Sequence, residues 1–276
     1  MQFIRNYCRS PSAILGFLIL LGVVFMAFSA SYFFPQNPLG LAGRPLQWPL
    51  TNAAFPFGTD HVGRDIAAQI FHGARVSLTI GLVATCISIS IGVVAGALTG
   101  YYGGVFDDVL MRVTEAFQIL PNFLLLLVVV AVFGAKLPTV VLAIGVVSWP
   151  PVARLTRAEF MSLRTREFVQ AGRVLGMSDL RLIFGEILPN ALPPVIVYAS
   201  VILAVAILLE SALAFLNLSD PNVPSWGNLI GGGRGVLRAQ WYVSAIPGVA
   251  ILLTVLSVSL VGQGLNDALN PRLQKR

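Results

Sequence analysis

Lysine is nearly missing from this chain: of 276 residues only Lys136 and Lys275 carry an ammonium. Neither follows a glycine and precedes a serine or threonine, so there is no Walker A loop and no ATP hydrolysis by that route. No Gly-x-Ser-x-Gly elbow and no His-Glu-x-x-His pair occurs. Histidine is limited to His61 and His72, and cysteine to Cys8 and Cys86. One cysteine precedes the first apolar run and the other lies inside the second, so no disulfide is expected. Cys8 also stands on the wrong side of its apolar run for a lipoprotein cleavage site. Charge is scarce as well. At 11% charged residues, against about 25% in soluble domains, the chain cannot coat a water-facing surface. The net charge of +6 is assigned to basic loops beside an anionic leaflet, not to a nucleic-acid surface.

What is present is apolar length. A span needs roughly 20 apolar residues to cross about 30 Å of hydrocarbon. Six segments qualify: Ile14–Phe34, Val76–Phe106, Phe117–Ala135, Leu137–Ala153, Ala191–Phe215 and Val243–Leu265. The expectation is an all-α polytopic membrane protein with six transmembrane helices, each satisfying its own backbone. The first segment follows Arg5 and Arg9 as a signal peptide would, but its length favours a retained anchor. With the N-terminus inside, 12 of the 18 basic residues fall on inner segments. That excess places both termini in the cytoplasm. The expected organisation is an N-terminal anchor and extracytoplasmic loop over 1–74, a transmembrane domain over 75–266 with a loop at 158–189, and a cytoplasmic tail over 267–276.

Small residues Ala84, Ser88, Gly92, Gly96 and Gly100 recur every four positions along the second span. Such a stripe admits another helix at close range, with the partner left open. Glu210, in "LLESALAF" beside Ser211, stands near the outer end of span five. It either lines a solute path or reaches the interface. Asn122 follows Pro121, where a kink either faces a pathway or relieves packing. Glu115 opens span three, where an acid suits a helix N-terminus. Asp60, His61 and Asp65 in "FGTDHVGRD" read as a turn-stabilising network and not as a metal site.

The most polar continuous stretch is "EFVQAGRVLGMSDLRLIFGEILPN", Glu167 to Asn190. It reads as two short helices. Phe160, Leu163, Phe168, Ala171 and Leu175 would face one way on the first, and Gly176 would end it in a left-handed turn. Ser178 would cap the second, with Asp179 in its first turn. Leu180, Ile183, Phe184, Ile187 and Leu188 form an amphipathic stripe. Pro189 would end that helix, and Asn190 would cap span five. A short pair of this kind needs something to pack on.

The stretch resembles the "EAA" loop of permease subunits in binding-protein-dependent ABC importers. That pattern runs Glu-Ala-Ala, three residues, Gly, nine residues, Ile-x-Leu-Pro. Here Gln170, Ala171, Gly172, Gly176, Glu186, Leu188 and Pro189 occupy those places. The chain departs at Gln170, Gly172 and Glu186. "FGTDHVGRD", "FDDVLMR", "PSWGNLI" and "LNDALNPRL" resemble the dipeptide/oligopeptide/nickel subfamily, in particular the C-type member of its permease pair. The resemblance covers roughly residues 10–273. It implies the type I importer fold, an inner-membrane location and a coupling helix between helices 4 and 5 that seats in an ATPase cleft. It further implies a second homologous permease as heterodimer partner, two ATPase subunits holding ATP and magnesium, and an extracytoplasmic solute-binding protein. No cofactor or metal is expected in this chain.

On that alignment Gln170 to Gly176 would open the coupling element, with Ser178 and Asp179 its exposed turn. Glu167, one helical turn before Gln170, would supply the missing carboxylate. Asn122, Glu210 and Ser211 are pathway candidates. Short peptides are the first choice of cargo, and nickel or a metal chelate the second. Residues 35–72 and 217–242 would receive the binding protein, with Trp226 and Trp241 as interface anchors. An ion-driven secondary transporter or channel is the competing class.

Overall fold

The computed structural model describes Tyr7 and residues 10–269. Cys8, the basic residues of both termini, the 267–276 tail beyond Leu269 and the end of "LNDALNPRL" lie outside the described residues. Helix α1 spans Pro11–Phe33 and α2 spans Ile66–Tyr102. Helices α3 (Gly104–Ile119) and α4 (Asn122–Phe133) follow, then α5 (Leu137–Val147) and α6 (Trp149–Leu163). The polar stretch holds α7 (Glu167–Val174) and a turn, α8 (Asp179–Arg181), that runs through a π-helical segment into α9 (Leu188–Phe215). Helix α10 (Trp226–Gly233) lies between α9 and α11 (Tyr242–Leu269). Among the described residues the only strand pairing is a single antiparallel bridge, Thr59 with Asp65.

Five helices, with α5–α6 and α8–α9 each taken as one, are long and apolar enough to cross a membrane. The bent pair α3–α4 brings the number to six if it is counted as one broken span. Its axis turns by 84° at Leu120 and Pro121, so Phe117–Ala135 is not one straight span. Proline supplies the break, because it removes a backbone donor and clashes with the preceding turn. Glu115 consequently sits near the end of α3, exposed, and not at a helix start. Span two begins ten residues earlier than its charge-free run, at Ile66, where the Asp65 carboxylate accepts from the Ala67 N–H. Arg75 ended the apolar run without ending the helix. Span four likewise continues past Ala153 to Leu163.

The small-residue stripe on α2 packs against α5 and α6. A Cβ at Gly92 would collide with Val152, at Gly96 with the Ala153 carbonyl, and at Gly100 it would sit 2.5 Å from Phe160 Cβ. Backbones therefore approach closely, which is how packing is gained where lipid removes the usual hydrophobic drive. Thr85 and Thr99 turn their hydroxyls back into their own ladder, to the Gly81 and Ala95 carbonyls. At the other side of the bundle, α1 lies on α11 through Gly16 and Gly264.

Candidate functional site

Two polar regions stand out, one at each end of α2. The first is the Glu167–Asn190 stretch, at the end of the bundle where α2 finishes. After α6 the chain breaks at Arg164 to Arg166, and α7 starts at Glu167. Gly176 has φ +76°, the left-handed turn expected after a helix. Ser178 holds the cap position of α8, but its side chain makes no capping bond. The stretch is clamped to α2. The Tyr101 hydroxyl donates to Asp179 Oδ1 at 2.5 Å, and the Arg173 guanidinium lies 5.5 Å from the Tyr101 ring centre. Arg164 donates to the Gly100 and Tyr101 carbonyls at 3.2 Å each. These carbonyls are the orphans of a helix C-terminus, where a cation is favoured. Nearby, Arg157 on α6 grips Asp107 on α3 with two bonds of 2.6 and 2.5 Å.

The side chains that anchor the stretch differ from the expected faces. Phe160, Val169, Leu182, Ile183 and Ile187 are buried together with Ala97 and Tyr101. Phe168, Val174, Leu175, Leu180 and Phe184 remain exposed. Sequence periodicity treated 160–175 as one helix, but the break at Arg164–Arg166 turns the two halves to different faces. Val169 escapes the periodicity for that reason, and Leu182 because it opens the π-helical segment Leu182–Ile187. Glu167, Gln170, Ala171, Gly176, Ser178 and Asp179 are exposed, whereas Gly172 is buried against Leu182. Gln170 donates to the Arg164 carbonyl at 3.2 Å. Glu167 and Phe168, with Ser162, Thr165 and Arg166, line an open groove.

Pro189 does not end the second helix. The π-helical turn Leu182–Ile187 widens the coil just before it, so a residue without an N–H is accommodated and the helix runs on to Phe215. π turns inside α-helices serve this purpose of inserting one residue. Asn190 accordingly caps nothing. It sits within α9 and donates to the Glu186 carbonyl at 2.7 Å.

The second region lies at the opposite end, where residues 34–65, the end of α9 and α10 meet. Asp60 is buried. Its Oδ1 accepts the N–H groups of Val62, Gly63 and Arg64 at 2.9 Å each, and its Oδ2 accepts from Gln69 at 3.1 Å. This is a turn-holding carboxylate, as the sequence reading had it. Burial pushes the Asp65 carboxyl above the usual carboxylate range, against the N–H groups of Ala67 and Ala68 that draw it down. The Tyr242 hydroxyl donates to the Gln47 carbonyl at 2.8 Å, tying this loop to α11.

Glu210 neither lines an open path in this chain nor reaches its surface. It is 1% exposed, and its Oε1 accepts from Ser225 at 2.7 Å and Ser219 at 3.4 Å. Ser225 also caps α10 by accepting the Asn228 N–H. The carboxyl thus fastens α10 to α9. Gly227 permits this, since its Cβ would stand 2.9 Å from Glu210 Oε2. Trp226 is fully buried and is no interface anchor. Its indole donates to the Ile70 carbonyl at 2.9 Å. Trp241, by contrast, is exposed. Ser211 turns its hydroxyl back to the Ile207 carbonyl, and Asn122 is exposed at the start of α4, far along the chain from both regions.

A cavity of about 350 Å³ opens beside the Glu210 latch, walled among others by Asp60, His61, Arg64, Ser219 and Asn228. Residues 92–275 match the family of binding-protein-dependent transport system inner membrane components. The chain belongs to that family. It is 38% identical, over 99% of its length and 92% of the relative's, to the di/tripeptide transport system permease protein DppC of Pseudomonas aeruginosa. Against the dipeptide transport system permease protein DppC of Escherichia coli K12, identity is again 38%, covering 99% and 93%. The glutathione transport system permease protein GsiD of Pectobacterium atrosepticum is 32% identical over 99% and 91%. The fold resembles that in an inward-facing structure of the MetNI methionine ABC transporter, with a TM-score of 0.59 at 17% identity, covering 71% of this chain and 93% of the other. The protein is therefore a multi-pass permease subunit of an ABC importer, with the type I importer fold, and works with ATPase and binding-protein partners. The ion-driven alternative is set aside.

Proposed function

We propose that this permease carries di- or oligopeptides and forms half of the pathway, with a second, homologous permease forming the other half. The likeness to relatives named for dipeptide, di/tripeptide and glutathione transport supports the cargo. Two ATPase subunits bind ATP and magnesium, and this chain itself catalyses nothing. Both termini and the 164–178 loop face the cytoplasm, while residues 34–65 and 216–241 face the binding protein.

The observation that carries the coupling role is the split surface of the Glu167–Asn190 stretch. One side is bolted to α2 and α6. The other presents Phe168, Val174, Leu175, Leu180 and Phe184 to the exterior, rimmed by Glu167, Gln170, Ala171, Gly176 and Ser178. An exposed apolar patch with a polar rim is the signature of a protein interface. Asp179 serves from behind, through Tyr101. ATPase closure would move this plug, and the clamp would pass the movement to rigid helices. Pathway contacts by Asn122, Glu210 and Ser211 require the partner permease or a rearranged state.

The test uses the reconstituted complex with its binding protein. Glu167→Ala and Gln170→Ala are made separately, and dipeptide-stimulated ATP hydrolysis is measured beside dipeptide uptake. At least one substitution is expected to lower hydrolysis and uptake together, by roughly the tenfold that one charge-assisted bond supports. Unchanged coupling in both would remove these residues from the interface. Uptake of nickel chelates in place of dipeptides would overturn the cargo.

A further inference from the structure

We propose that the cavity beside α10 is a docking socket for an acidic side chain of the solute-binding protein, received by Arg64. The inference rests on the orientation given above, in which this end of the bundle faces outward.

Arg64 is half-buried in the cavity wall. Its Nε is buried and has no hydrogen-bond partner among the described residues, and its side chain makes no ion pair there, since the one pair present is Arg157 with Asp107. Every neighbouring acceptor is already engaged. Asp60 accepts three backbone N–H groups and the Gln69 amide. The Ser219 and Ser225 hydroxyls point at Glu210, and the Asn228 amide donates to the Asp220 and Val223 carbonyls. His61 is exposed at the same opening and adds no acceptor of negative charge. A guanidinium in the cavity wall that forms no ion pair with the neighbouring Asp60 carboxylate is matched by an incoming carboxylate, which it can bind with two parallel bonds.

The partner follows from shape and charge. The cavity of about 350 Å³ is walled among others by Ala214, Ser225 and Leu229, with the buried Glu210 bonded to Ser225, and a recess of that size takes a side chain projecting from a docked protein. This end also carries Arg44, Arg64, Arg75, Lys136, Arg234 and Arg238 against only Asp60, Asp65 and Asp220 besides Glu210. An acidic lobe is the complementary surface, and complementary charge both steers and registers a partner.

The experiment measures binding of the cognate solute-binding protein to the intact complex in nanodiscs, at low and high salt. Arg64→Gln is expected to raise Kd roughly tenfold or more at low salt, with a smaller effect at high salt. Arg64→Lys provides a second readout that does not depend on affinity. Treated with a zero-length carbodiimide, the introduced amine should form an amide with an Asp or Glu of the binding protein, located by mass spectrometry. An unchanged Kd for Arg64→Gln, or no such amide, overturns the proposal. An amide formed with the transported peptide, and not with the protein, also overturns it and makes the cavity a cargo site. If the unaltered complex binds no binding protein at all, the orientation and importer assembly fail, and this socket with them.

Discussion

Glu210 illustrates how far a single residue can be read. Its place in an apolar run marked it as unusual, but neither reading on offer described a latch. The partners Ser219 and Ser225 lie 9 and 15 positions later, beyond any helical periodicity. Only the return of α10 onto α9 brings them together. The latch has a direct consequence for stability. Glu210→Ala strands two buried hydroxyls and opens a void, so a loss of about 1–3 kcal/mol is expected from the unsatisfied groups alone. Glu210→Gln keeps an acceptor for Ser225 and should lose clearly less. Thermal melting of the purified complex decides it, and equal losses for both substitutions would mean that the hydrogen bond contributes nothing. Trp226 makes the same point from the opposite side. An aromatic residue in an outer loop invites the reading of a lipid-interface anchor, yet its indole is spent on a backbone carbonyl 156 positions away.

At the scale of elements, the strongest sequence signal was the four-residue repeat of small side chains on α2, and the structure supplies its partner, α5–α6. A repeat of small residues states that something approaches closely; it does not state what. Gly96→Val is expected to push α6 outward and to cost about 1–3 kcal/mol by overpacking, read as lower yield of folded complex. Tyr101→Phe is milder. It keeps the ring under Arg173 and removes only the bond to Asp179, for about 0.5–1.5 kcal/mol. Its expected mark is a reduced ratio of peptide transported to ATP hydrolysed, at near-normal melting temperature. A normal ratio would show that Asp179 needs no anchor. The helices themselves were legible from apolar length, but their ends were not. Charge-free runs record where hydrocarbon must be, whereas helix ends are set by caps such as Asp65 and breaks such as Pro121. The two faces of the Glu167–Asn190 stretch were misread because a three-residue break and a π turn each reset the angular pattern that periodicity assumes to be continuous.

At the scale of the whole molecule, α2 is the member that touches both polar regions. Its 37 residues extend about 55 Å, well beyond about 30 Å of hydrocarbon. Tyr101 meets the Glu167–Asn190 stretch at one end, and at the other Ser77 and Ile70 hold Trp226. The proposed orientation puts these ends on opposite sides of the membrane. In a chain with both cysteines replaced, a cysteine placed at exposed Leu175 should react with a membrane-impermeant maleimide only in inside-out vesicles. One at exposed Leu50 should react only in right-side-out vesicles. The reverse pattern would invert the topology and exchange the roles of the two regions. The π turn at Leu182–Ile187 then acquires a meaning beyond accommodating Pro189. One added residue turns everything downstream by roughly 100° relative to an unbroken α-helix. Deleting one residue of that turn is therefore expected to rotate Glu210 away from Ser225, although it lies about 35 Å further along the same helix, and to lower the melting temperature as Glu210→Ala does.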